Sequence, residues 1–411
     1  MQKQTRLLLI FDSRAFQEYY LSRRIISYTS SEIQWRCRQI DACEPGCVES
    51  PFSAKWYGQH LQHHLTQQLQ RLEEEGLFKL WHDLVARYTR SQMTFFGDKL
   101  VALSGLASIF GNHLDSDYVA GLWKDNILSD LLWSRASEAT SNHPMRLHVP
   151  PAYRAPTFSW ASLEGPIVYY NLGQIAQKFA SLDGTRCLPL GEDAFGQITE
   201  AQLQVTGQLI PATLKPYNKG HLEYELQFRQ DSPLLGRPYF YNDTELENVS
   251  IPLGSGQILR TARRCSRDTH SDRVLAPCDV WCLRLVRTRT SFDWDHMLVL
   301  ADASGASVRY ERIGLAKYRV RTGIQEEQTE ATEDRSTQDV LLEASTESVS
   351  EEALEEALEE SSEESSEESS EWSSEEASEV ESDVISRIRG VDAAEVDRYF
   401  QELPMTTITI I

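Results

Sequence analysis

Apolar residues in the first third of the chain return every three or four positions. Leu61, Leu65, Leu69 and Leu72 form one stripe, which Gly76 is expected to break, and Leu77, Leu80, Trp81, Leu84, Val85 and Tyr88 form the next. That period puts the apolar positions on one helix face, with His82 at its half-exposed margin. Leu100, Leu103, Leu106, Ala107 and Phe110 repeat the pattern. Asp98 stands where an N-cap would accept free backbone N–H groups, and Gly111-Asn112 is the expected stop. Leu122, Trp123, Ile127, Leu131 and Leu132 keep the same spacing, which predicts a second helix packed on the first, with the tryptophans as large core anchors. None of these residues is an obvious acid, base or ligand.

From Ile167 to about Arg321 the period changes to two. Residues 202–210, 222–228 and 280–286 alternate as half-buried strands do, and 297–300 and 310–316 follow. Gly, Pro, Asp and Asn clusters separate them. The expected fold class is therefore α+β: a helical segment, then a mostly antiparallel β-rich domain of sandwich or barrel type. Near the end, Val391, Val396, Tyr399, Phe400 and Leu403 can line a short helix before Pro404. Thr406 to Ile411 is a β-prone, uncharged strand able to dock on the body or pair with another chain.

Charge divides the 411-residue chain sharply. Residues 326–383 hold 24 Asp and Glu against the single base Arg335, while residues 1–325 are near neutral at +2. A neutral body carries no electrostatic footprint for nucleic acid, and the acidic stretch repels phosphate. That stretch is Glu- and Ser-rich with a four-residue beat, and it is too poor in large apolar groups to offset its ordering entropy. A disordered acidic tail over 323–383 is expected. Ser361, Ser365 and Ser373 each have Glu three residues on, the pattern of acid-directed phosphorylation, whose added charge would deepen the negative field. No apolar run reaches the length of a membrane span. Leu7 to Phe11 is too short for a signal peptide.

Seven irregularly spaced cysteines fit a reducing compartment better than a disulfide framework, so a cytoplasmic location is expected. One spacing allows metal chemistry. Cys43-x3-Cys47, twelve residues, then His60-x3-His64 has zinc-finger spacing, with both histidines on one helix face. Against it, Asp41 replaces the usual aromatic, and Phe52 is one position off. Lys55 and Arg71 are too few for a phosphate backbone. Cys265, His270, Cys278 and Cys282 lie in the β region, where buried inert thiols are the simpler account. Ser159 lacks the Gly-x-Ser-x-Gly frame of a nucleophile elbow. No cofactor is called for.

Several short motifs occur in a fixed order. Gln17-Glu18, Leu21-Ser22-Arg23-Arg24, Gln34 to Arg38 and Ala42-Cys43-Glu44 come first. Asp98, Leu100, Ser104-Gly105, Gly121-Leu122-Trp123 and Trp133 follow, then Arg154-Ala155-Pro156 and Ser159-Trp160-Ala161-Ser162. This series resembles the fungal heterokaryon-incompatibility (HET domain) family, covering the close of the HET domain and the region downstream of it. Arg14 stands where that family shows a tryptophan, and only thirteen residues precede it, so the chain resembles a truncated member. The resemblance implies a HET-domain remnant at 1–50, and periodicity and composition divide the rest into a helical segment at 51–150, a β-rich domain at 151–322, the acidic tail at 323–383, and a helix with a terminal strand at 384–411.

Members of that family act in non-self recognition and programmed cell death. The HET domain is thought to be related to TIR domains, some of which cleave NAD. Glu18 is the one candidate remnant of such a pocket, and without a partner or cleft it has no assigned chemistry. The expectation is a non-enzyme that acts by contact with other proteins or is inert. A zinc-dependent interaction module is the alternative, and a part of a longer NAD-cleaving effector is another.

Overall fold

The structure, a computed structural model, describes residues 13–28, 33–37, 41–44, 65, 68–91, 93, 95–136, 149–150, 152–169, 174–216, 224–228, 232–234, 238–243, 246–250, 257–261, 277–303, 309–322 and 391–411. Helix α1 (Ser13–Leu21) leads into β1 (Arg24–Tyr28), β2 (Ile33–Cys37) and β3 (Asp41–Cys43), a small antiparallel sheet. Helices α2 (Glu74–Tyr88) and α3 (Val101–Gly111) follow the predicted stripes. Leu77, Leu80, Trp81, Leu84 and Val85 are buried on α2, and Leu103, Leu106, Ala107 and Phe110 on α3. The break before α2 falls at Leu72-Glu73, and Gly76 lies inside the helix, where its missing side chain leaves room for Leu72.

The second expected helix, over 122–132, is not one. Its residues form a tight hairpin, β4 (Tyr118–Val119) and β5 (Leu122–Trp123), then single turns at Lys124–Asn126 and Ile127–Asp130. Ala120 and Gly121 both have positive φ, 53° and 100°, the requirement of a two-residue hairpin turn. Leu122, Trp123, Ile127, Leu131 and Leu132 are all buried, so helical spacing marked burial without marking a helix.

The remaining strands are β6 (Trp133–Arg135), β7 (Ile167–Tyr169), β8 (Gln174–Lys178), β9 (Ser181–Pro189) and β10 (Ile198–Pro216). They continue with β11 (Tyr224–Phe228), β12 (Tyr239–Asn242), β13 (Leu246–Ser250) and β14 (Gln257–Thr261). Then come β15 (Cys278–Arg289), β16 (Asp293–Asp302), β17 (Arg309–Arg321), β18 (Val391–Asp392), helix α4 (Ala393–Gln401) and β19 (Met405–Ile410). Ten of these strands make one mostly antiparallel sheet. Its pairings return to their start: β10 to β19, β17, β16, β15 and back to β10. The protein is a β-rich member of the α+β class.

β10 keeps the predicted alternation, but β15, β16 and β17 are buried on both faces. One face, with Leu283, Leu298 and Leu300, joins a core that also contains Phe16, Trp81, Phe110, Trp123 and Trp160. The other, with Cys282, Val299 and Ile313, packs with Val396 and Phe400 of α4. The first of these two cores spans the expected boundaries at 50/51 and 150/151. Burial on both faces also traps the polar positions. Arg284 and Arg287 both bind Asp295, which accepts from Tyr318 Oη at 3.0 Å, and both reach Asp397 of α4, at 2.6 and 3.0 Å. The Arg284 guanidinium lies between the rings of Phe179 and Phe400.

The acidic stretch is not a terminal tail in the topology. β17 ends at Arg321, and the chain returns at Val391, which pairs in parallel with Val320. α4 and β19 then complete the barrel, β19 lying between β10 and β17. Residues 323–390 themselves lie outside the described residues, as do Cys265 and His270.

Removing one partner of a buried ion pair strands the other charge and costs about 3–5 kcal/mol. Asp295→Asn should lower the unfolding free energy by that amount in urea titration. Asp397→Asn, at a half-buried position, should cost clearly less.

Candidate functional site

Some of the motif residues, Gly121, Ser159 and Trp160 among them, converge on the Ala120-Gly121 turn. The Gly121 carbonyl accepts two indole N–H groups, from Trp81 and Trp160, each at 3.1 Å. The Ser159 hydroxyl donates to the Ala120 carbonyl at 2.5 Å and accepts from the Ala161 N–H at 3.0 Å. Ser162 Oγ donates to the Ser159 carbonyl at 2.7 Å. A Cβ on Gly121 would lie 2.8 Å from Trp160 Nε1, so only glycine fits. Trp123, on the far side of the turn, stacks edge-on against Trp81.

Arg154 is a buried clamp. Its Nε donates to the Ala161 carbonyl at 2.6 Å, Nη1 to Phe96 at 2.8 Å, and Nη2 to Leu163 at 2.9 Å, with Glu164 as its ion-pair partner. Its neighbours Ala155 and Pro156 are buried. Lys99 Nζ donates to the same Leu163 carbonyl. Burial pushes the Lys99 amine down to about 7 from the usual 10.5, against the pull of Glu164. Such an amine is nucleophilic in principle, but Lys99 is only 2% exposed.

A second arginine ties the helical region to the barrel. Arg312 binds Asp243 at 2.8 and 3.1 Å and donates to the carbonyls of Leu131 and Trp133 at 2.7 and 2.5 Å. Its guanidinium lies 3.4 Å from the Trp133 ring centroid, and Trp133 Nε1 donates to Phe158 at 2.9 Å. Burial raises the Asp243 pKa despite the attraction of Arg312. Arg154 and Arg312 both line a cleft of about 390 Å3, together with Tyr153, Thr157, Glu200 and Arg309.

His82 is buried rather than half-exposed. Its Nε2 lies 2.6 Å from Asp130 Oδ1, and its ring stacks on Tyr169 at 3.9 Å. Asp130 also accepts from Trp123 N–H at 2.6 Å and Asn126 Nδ2 at 2.7 Å. It fixes the turns that follow the hairpin.

The other sequence candidates separate into packing and surface. Gln17 Oε1 accepts from the Gly105 N–H at 2.8 Å, and a Cβ on Gly105 would strike that amide at 2.6 Å. Leu100 is buried and Ser104 half-buried. Asp98 does not cap α3: it closes a short turn at Phe96–Asp98, and Leu100 occupies the N-cap place without a side-chain bond. Leu21 packs on the core, while Glu18, Ser22, Arg23 and Arg24 are exposed. Of the zinc alternative, Cys43 is disulfide-bonded and so offers no thiolate. Cys47, His60 and His64 lie outside the described residues. Among the described residues, no group of three or more His, Cys, Asp or Glu could hold a metal ion.

One surface stands out by its apolar character. β1 and β2 pair Ile26 with Trp35 and Tyr28 with Ile33, which places all four on one sheet face. Each is exposed, Tyr28 most of all at 74%. Arg24 lies on the same face. No helix among the described residues is long and apolar enough to cross a membrane. No protein-family model, no curated protein and no solved structure matches this chain.

Sequence reasoning missed Asp130, Asp243 and Arg312. Arg312 lies in the 310–316 segment, which read as a strand without giving the arginine a role. Asp243 has no local signal at all.

Two outcomes follow from this geometry. Gly121→Ala should cost about 3 kcal/mol in urea unfolding, from left-handed strain and overpacking against Trp160. Lys99 titrates lower when folded, so the folded state binds fewer protons between pH 7 and 10.5. Stability should rise with pH across that window by a few kcal/mol. Lys99→Met should lack that increment when unfolding free energies at pH 7 and pH 10 are compared.

Proposed function

We propose that this chain is a non-catalytic member of the fungal heterokaryon-incompatibility family, acting in the cytoplasm in non-self recognition and cell death through contact with other proteins. The observation that supports this most is the exposed face of Ile26, Tyr28, Ile33 and Trp35. Four large apolar side chains side by side on a sheet face suit a partner with its own apolar patch. The flanking Arg23 and Arg24 suit an acidic rim on that partner. The absence of catalysis is supported by how the polar motif groups are used: Ser159, Arg154 and Gln17 all bind backbone groups.

The test is expression of the full chain in a filamentous fungus, scoring death of fused cells. Expression should raise the fraction of dying cells. Tyr28→Glu and Trp35→Glu should remove the effect while leaving the unfolding midpoint near wild type. Glu18→Ala should leave it intact. No effect of expression, or full activity of both face variants, would sink the reading. So would NAD cleavage by the purified chain that Glu18→Ala abolishes.

A further inference from the structure

A second group of large apolar side chains lies on the surface, away from the small sheet. Leu188 and Leu190 sit at the β9 end of the β9–β10 hairpin, Phe95 and Phe96 in the turn before α3, and Tyr153 beside Arg154. All five are exposed, Leu190 most of all at 62%. Contacts between their segments form a closed circuit. The Gln197 amide donates to the Gly97 carbonyl at 3.0 Å, and the Gln197 carbonyl accepts from the Leu190 N–H at 2.7 Å. Leu188 is paired with Glu200 in the hairpin register, and the Tyr153 hydroxyl meets the backbone of Ala201, the next residue. Arg154 then donates to the Phe96 carbonyl at 2.8 Å.

The same circuit carries acids. Asp98, Glu192, Asp193 and Glu200 stand along it, and among the described residues no base forms an ion pair with any of them. Against them stands the exposed Arg186. The cleft of about 390 Å3 adjoins this group and shares Tyr153, Glu200 and Ala201 with it. Glu164 and Asp243 neutralise Arg154 and Arg312 there, and Glu200 and Glu311 outnumber the remaining Arg309. We propose that this surface docks a basic amphipathic segment of another protein. The segment lays its apolar side on Leu190 and Phe96, places one bulky side chain in the cleft, and sets its lysines and arginines against the acids. A second copy placed symmetrically would set acids against acids, and an anionic lipid surface would meet the same repulsion. The chemistry is opposite to that of the Ile26, Tyr28, Ile33 and Trp35 face, which Arg24 makes basic.

The probe is a fluorescent peptide of about 14 residues, roughly four helical turns. It carries leucines and one tryptophan on one face and lysines on the other, and is titrated with the full chain and read by anisotropy. Saturable binding is expected, weakened about tenfold by Leu190→Ser and by Phe96→Ser, with unfolding midpoints near wild type. Glu192→Lys should weaken it in low salt and much less in high salt. Residues 326–383, with 24 acids, attract any lysine-rich peptide. That attraction is the same in the serine variants and for a scrambled isomer of the peptide. Equal binding by wild type and both serine variants, equal binding of ordered and scrambled isomers, or no binding overturns the proposal. Cosedimentation with phosphatidylserine vesicles that Leu190→Ser abolishes would assign the surface to lipid and overturn it too.

Discussion

The Gly121 carbonyl, shared by the indoles of Trp81 and Trp160, is the contact on which the rest of the body depends. Trp81 comes from α2 and Trp160 from the segment leading to β7, so one backbone oxygen joins two distant stretches of chain. The turn can offer that oxygen inward only because Ala120 and Gly121 adopt positive φ. Burying two indoles without partners for their N–H groups would be costly. The tight turn is therefore as much a polar device as a change of chain direction. Ser159 adds a third bond to the same two residues and ties the following turn to it.

The helical stripes were legible because one face of α2 and α3 meets the core and the other meets water. The same signal misled at 122–132. There every apolar residue is buried, but through a hairpin and single turns, and spacing alone cannot separate those from a helix. The Ala120-Gly121 pair is a weaker turn sign than Asn-Gly or Asp-Gly. His82 was misjudged for a related reason. Its partner Asp130 is 48 positions away, and local pattern carries no information at that range.

The β region was legible as strands of a mostly antiparallel sheet, with sandwich and barrel left open between them. Residues 280–286 and 310–316, with Arg284 and Arg312, read as half-buried strands, and Arg287 fell beyond the expected strand. Those arginines are buried because helices cover one face and α4 the other, and each is matched by an aspartate remote in sequence or on another strand. The motif residues were found by order alone. Their roles differ: Gln17, Gly105, Gly121, Arg154 and Trp160 hold the frame, while Glu18, Arg23 and Arg24 remain on the surface.

The position of β19 has a consequence for synthesis on the ribosome. The edges of β10 and β17 that it will occupy are made long before it, and residues 323–390 must be translated in between. At about 5–20 residues per second, that interval lasts roughly 3–14 s. During it, β10 over Leu203–Gln208 and β17 at Arg309 and Tyr310 lack the strand that β19 supplies, and the apolar cluster that takes Phe400 lacks its ring. Nascent chains at this stage are open to edge-to-edge pairing. The intervening run of acids adds negative charge to each such chain, which opposes that pairing between neighbours.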